Sequence, residues 1–126
     1  MSVLLIHENP QVSELFLTNI FVYTNQKVIS ASSIQEAKQI LKNLADIEII
    51  VTEKKSGGKE IFEKVYQLSK SFERDYYIIS LGQVDYIEHY KNAVAIDKND
   101  VKSLVNIVGD RLGITPGKMV NLKVPQ

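Results

Sequence analysis

Glu48-Ile49-Ile50-Val51-Thr52-Glu53 is a run of β-branched residues that begins and ends on a carboxylate and does not alternate apolar with polar positions in between. A strand with one face in water alternates, whereas one covered on both faces reads as a continuous apolar run. Val3-Leu4-Leu5-Ile6, Tyr77-Ile78-Ile79 and Val94-Ala95-Ile96 have the same character, and with Ile47 to Val51 they give the covered strands. Lys27-Val28-Ile29-Ser30-Ala31 is more polar and reads as a strand nearer an edge. Segments of helical period separate these runs. The alternation predicts an α/β domain, a doubly wound sheet of five parallel strands.

The helices announce their own ends. Asn9 before Pro10 is an N-cap with proline in the first turn, and Val12, Leu15, Phe16, Ile20 and Tyr23 then recur on one face. Ser33-Ile34-Gln35-Glu36 has the spacing of a capping box, followed by the stripe Ile34, Ala37, Ile40, Leu41 and Leu44. Ile61, Phe62, Val65, Leu68, Ser69 and Phe72 predict a third helix after Gly57-Gly58, and Val84, Ile87 and Lys91 a short fourth. Val101, Leu104, Val105, Val108 and Leu112 predict the last, capped by Asn99 or Asp100 and closed by Gly113.

Composition bounds what the chain can be. Its 126 residues carry 15 basic and 15 acidic side chains, no cysteine and 44% apolar residues, which describes one globular domain able to build a core without thiol-bound metals or disulfides. Residues 1–113 are expected to form that domain. Residues 114–126 hold two prolines and a glycine with no sustained period, as in an extended tail or a linker to a following domain. No apolar run approaches the roughly 20 residues of a membrane span, so no membrane is expected as partner. The N-terminus lacks a basic flank and a signal-length apolar stretch, so the expected location is cytoplasmic. A net charge of zero gives no footprint for direct nucleic-acid binding.

In open α/β sheets ligands bind beyond the carboxyl ends of the strands. Those ends read His7-Glu8-Asn9, Thr52-Glu53-Lys54-Lys55, Ser80 and Asp97-Lys98. Only Glu8, Glu53 and Asp97 could offer a cation hard oxygen ligands there. A rival site is the Lys54–Gly58 loop, where Lys54, Lys55 and Lys59 surround Ser56-Gly57-Gly58 ahead of a helix, a setting for a small anion or nucleotide. A third reading makes His7 a general base, but with no Cys, no Ser-His-Asp spacing and no metal motif the expectation is that the chain is not an enzyme.

From residue 3 to about 112 these pieces, in this order, resemble the CheY-like receiver domains of two-component response regulators. The resemblance implies a strand order 2-1-3-4-5. It puts His7 and Glu8 at the acidic pair after the first strand, Glu53 at the phosphoacceptor aspartate, Ser80 at the hydroxyl ending the fourth strand, and Lys98 or Asp97 at the lysine after the fifth. The departures imply lost chemistry. His7 replaces an acid, so Mg²⁺ binding is expected to be weak or absent and no cofactor is assigned. Glu53 is one methylene longer than the acceptor, and in-line transfer tolerates a misplacement of about 1 Å poorly. The Met-Pro stretch expected after Glu53 is missing, and no aromatic falls near Val94 or Ala95 to couple to the hydroxyl. The resemblance therefore implies a pseudo-receiver, a phosphorylation-independent interaction or regulatory module, with Glu53 either a fixed charge or a bystander. Its expected partners are another protein, a fused effector domain, or a second copy through the helix 4/strand 5/helix 5 face, where Tyr86, Ile87 and Tyr90 are the interface candidates.

Overall fold

The computed structural model describes residues 2–113. The proposed linker over 114–126 lies outside the described residues. Five parallel strands form the sheet: β1 (Ser2–Ile6), β2 (Lys27–Ala31), β3 (Ile47–Glu53), β6 (Tyr77–Leu81) and β7 (Ala93–Ile96), in the order β2-β1-β3-β6-β7. Between β3 and β6 comes a two-stranded antiparallel hairpin, β4 (Lys55–Ser56) and β5 (Lys59–Glu60). The order is the predicted 2-1-3-4-5 once the hairpin is set aside.

Four α-helices cover the sheet: α1 (Pro10–Thr24), α2 (Ile34–Asn43), α3 (Phe62–Ser71) and α4 (Val101–Arg111). Phe16 and Ile20 of α1 and Leu104, Val105 and Val108 of α4 pack with Val3, Leu5, Ile49, Val51 and Ile79 on one face. Ala37 and Leu41 of α2 and Phe62 and Val65 of α3 meet Leu4, Ile6, Ile50 and Ile78 on the other. Each fully buried Leu or Ile contributes about 1.5–3 kcal/mol. The even and odd positions of one strand feed opposite cores, which is why the strands do not alternate in polarity.

The caps form at the predicted positions. Asn9 Oδ1 accepts from the Gln11 and Val12 N–H groups at the start of α1, and Asp100, not Asn99, caps α4 by accepting from the Ser103 N–H. Half of the expected capping box is present at α2. Ser33 Oγ accepts from the Glu36 N–H at 3.2 Å, while the Glu36 carboxylate turns to the Ser32 hydroxyl at 3.0 Å.

Two segments differ from the expectation. The fourth helix is a single 3₁₀ turn over Ile87–His89. Tyr86 before it has φ 57°, a left-handed conformation that no α-helix can start from, so the three apolar positions read as a helical face lie on an irregular connection. The loop after Glu53 is the β4–β5 hairpin, and Gly57 (φ 57°) and Gly58 (φ 77°) form its two-residue turn. Positive φ at both central positions is what a twisted tight hairpin requires. Gly57-Gly58 thus turns a hairpin, and the chain reaches α3 only after β5 and Ile61.

Candidate functional site

The carboxyl ends of β1, β3, β6 and β7 surround an open pocket of about 590 Å³, the largest among the described residues. His7, Glu53, Leu81 and Lys98 each come to it from one of these ends. Lys54 and Lys55 close one side, and Val12 of α1 adds an apolar wall.

Glu53 is 9% exposed at the last position of β3. Its Oε1 accepts from the Glu8 backbone N–H and lies 3.0 Å from His7 Nδ1. That nitrogen also stands 3.1 Å from the Asn9 N–H. One ring nitrogen cannot donate to a carboxylate and accept from an amide at once, and beside a nearly buried negative charge the donor tautomer is favoured. We therefore assign the proton on Nδ1 to Glu53. The extra methylene of glutamate is what carries the carboxylate back over the β1–α1 loop to these two donors.

Glu8 turns the other way. Its carboxylate accepts from the Ser56 hydroxyl at 3.0 Å and from the Gly57 N–H at 3.4 Å, fastening the hairpin turn to the β1–α1 loop. His7 and Glu8 thus point to different sides, as neighbours at a strand end do. Among the described residues no group of three or more His, Asp or Glu side chains converges on a metal position.

The ladder decides the place of Ser80. Thr52 stands opposite Ser80 and Glu53 opposite Leu81. Paired residues in a parallel ladder share a face, so Leu81 sits level with Glu53 and Ser80 faces the other side. Ser80 is fully buried, and its hydroxyl donates to the Gly82 carbonyl at 2.9 Å. The structure does not bring Ser80 to Glu53; an apolar side chain occupies that place. Of the two lysine candidates, Lys98 lines the pocket, while exposed Asp97 accepts from the Asn99 N–H outside it.

Sequence reasoning missed two contributors, Leu81 and Gly82. Leu81 prolongs an apolar run, which hides its face. Gly82 has φ 131°, and a Cβ there would stand 3.2 Å from Lys54 Cβ, so only glycine lets the Lys54 stem lie across the end of β6.

The interface candidates separate. Tyr86 is 70% exposed, with its ring stacked on His89. Ile87 is half-buried and packs against the core on the α2/α3 side of the sheet. Tyr90 meets Phe62 and Tyr66 edge-on, with centroids 5.0 and 4.9 Å away, and its hydroxyl donates to Glu63. The expected patch on a helix-4 face is therefore corrected to Tyr86 alone, because the helix that would align the three residues does not form.

Strand order, helical layers and the polar strand ends are those of the CheY-like receiver fold. The chain is similar to the receiver domain of the hybrid histidine kinase CckA, with a TM-score of 0.73 and 14% identity over 89% of this chain and 99% of that one. It is similar also to a two-component transcriptional regulator AraC from Clostridium phytofermentans ISDg, with a TM-score of 0.69 and 14% identity over 90% of this chain and 92% of that one. At such identity the likeness is one of fold. No protein-family model matches the chain, and no curated protein does.

Proposed function

We propose that the chain is an atypical receiver domain, a pseudo-receiver of two-component signal transduction, that acts as a phosphorylation-independent interaction or regulatory module. The observation that carries this reading is the engagement of Glu53. A phosphoacceptor needs an oxygen free to attack in line, with a metal and a cation to neutralise the developing charge. Here Oε1 is taken by the Glu8 N–H and His7, and Leu81 stands level with the carboxylate. The Mg²⁺ that such a fold implies does not suit these residues: Glu8 is committed to the hairpin, and His7 offers nitrogen to a cation that prefers oxygen. The domain is then a fixed-state module that is not an enzyme, works in the cytoplasm, and acts through a protein partner, a fused effector domain or a second copy.

The test is incubation of the wild-type chain with Mg²⁺ and acetyl phosphate, read by intact mass. The expected result is an unchanged mass. A labile phosphoryl adduct on Glu53 would make this a working receiver and refute the reading.

A further inference from the structure

The pocket beside Glu53 carries more positive than negative charge at its rim. Lys54, Lys55 and Lys98 line it, against Glu53 within it and Glu60 at the hairpin. Glu60 is a loose counter-ion: its Oε1 stands 3.7 Å from Lys54 Nζ and 3.8 Å from Lys55 Nζ, and its side chain is 56% exposed, so solvent screens both pairs. Among the described residues Lys98 makes no ion pair within 4.0 Å. The charge of Glu53 is the one most nearly balanced, since two N–H donors already hold it.

Shape adds to charge. At about 590 Å³ the space admits more than a bare anion, and Val12 and Leu81 give it an apolar wall opposite the lysines. The backbone also favours the arrangement. Because Gly82 has no Cβ, the Lys54 stem packs over the end of β6 and its ammonium is held at the pocket instead of swinging free.

We propose that this pocket binds a small phosphorylated molecule non-covalently, its phosphate held by Lys98, Lys54 and Lys55 and its organic part against Val12 and Leu81. The proposal rests on the reading that Glu53 accepts no phosphoryl group: a domain closed to covalent modification receives its signal as a bound dianion. The hairpin is then the responsive element, because Lys54, Lys55 and Ser56 adjoin both the pocket and the Glu8 contact.

The test is a titration with phenylphosphonate, a dianion with an apolar group that cannot transfer a phosphoryl group, followed by amide ¹H–¹⁵N spectra of the full chain. Benzenesulfonate serves as the monoanionic control. Saturable shifts are expected at Lys54, Gly82 and Lys98, weaker binding for the sulfonate, and about tenfold loss of affinity in Lys98→Gln. Non-saturating shifts, or equal affinity in wild type and a folded Lys98→Gln, would overturn the proposal. Labelling by acetyl phosphate is a separate readout: a mass gain refutes the reading of Glu53, whereas a failed titration with unchanged mass removes only the ligand.

Discussion

His7 Nδ1 lies 3.0 Å from Glu53 Oε1 and so joins the ends of β1 and β3, the two central strands of one parallel sheet. The pair is nearly enclosed, with side-chain exposures of 14% and 12%. Removing one partner of such a contact leaves the other poorly solvated, which costs more than the contact contributes. His7→Ala is therefore expected to destabilise the fold by about 1–3 kcal/mol, read as a lower urea midpoint with an unchanged slope. Glu53→Gln, which still accepts from both donors, is expected to cost less. Equal midpoints for wild type and His7→Ala would show that the contact carries no stability.

Gly82 tests the backbone behind the pocket. Gly82→Ala places a methyl group 3.2 Å from Lys54 Cβ at a φ of 131°. Strain of this kind costs about 1–3 kcal/mol. Thermal unfolding should show the loss, and the amide signals of the hairpin should shift with it. A variant as stable as wild type would mean that the Lys54 stem moves aside freely.

Tyr90 and Glu63 give a pH signature. The hydrogen bond from Tyr90 lowers the Glu63 carboxyl below its ordinary 4.5, with help from Gln67, and the same bond raises the Tyr90 hydroxyl above its ordinary 10.0. A depressed carboxyl contributes stability that is present above 4.5 and lost as pH falls through the lower folded value. A raised phenol contributes stability that is present below 10.0 and lost as pH rises through the higher folded value. The stability difference between wild type and Tyr90→Phe should thus be greatest between these limits and shrink beyond both. Both groups face solvent, so the amplitude is small. A difference that does not vary with pH would exclude this bond in solution.

Tyr86 is the exposed aromatic on the connection before β7. Tyr86→Glu should change stability by less than about 0.5 kcal/mol, because the ring contacts little besides His89. Tyr90→Glu should unfold much of the domain, since Tyr90 packs between Phe62 and Tyr66. Sedimentation and partner binding are therefore informative for Tyr86→Glu alone, and unchanged behaviour would remove this surface as an interface.

Much of the fold is legible because each element carries its own signal. Asn9-Pro10 and Asp100 mark helix starts by chemistry that needs no tertiary context, and covered strands show as unbroken apolar runs. The same continuity hides which residue faces which side. Ser80 and Leu81 cannot be assigned from Ile78-Ile79-Ser80-Leu81, and only the pairing of Glu53 with Leu81 decides between them. The hairpin is hidden for a different reason: its strands are two residues each and polar, so no periodicity betrays them. The meeting of His7 with Glu53 depends on side-chain direction across 46 positions of sequence, which no local pattern encodes. The fourth helix fails because Tyr86 takes a left-handed conformation that hydrophobic spacing does not foresee.

The central claim is that the Glu53 carboxylate is held by the Glu8 N–H and His7. The most direct measurement is the ¹H–¹⁵N spectrum of wild type beside Glu53→Ala, observing the Glu8 amide and the His7 ring nitrogens. A charge-assisted bond of this kind moves the amide proton strongly downfield. The account predicts a downfield Glu8 amide and a proton on His7 Nδ1 in wild type, with the amide returning upfield in Glu53→Ala. An ordinary Glu8 amide shift that is the same in both proteins would contradict it and leave Glu53 free to act as an acceptor.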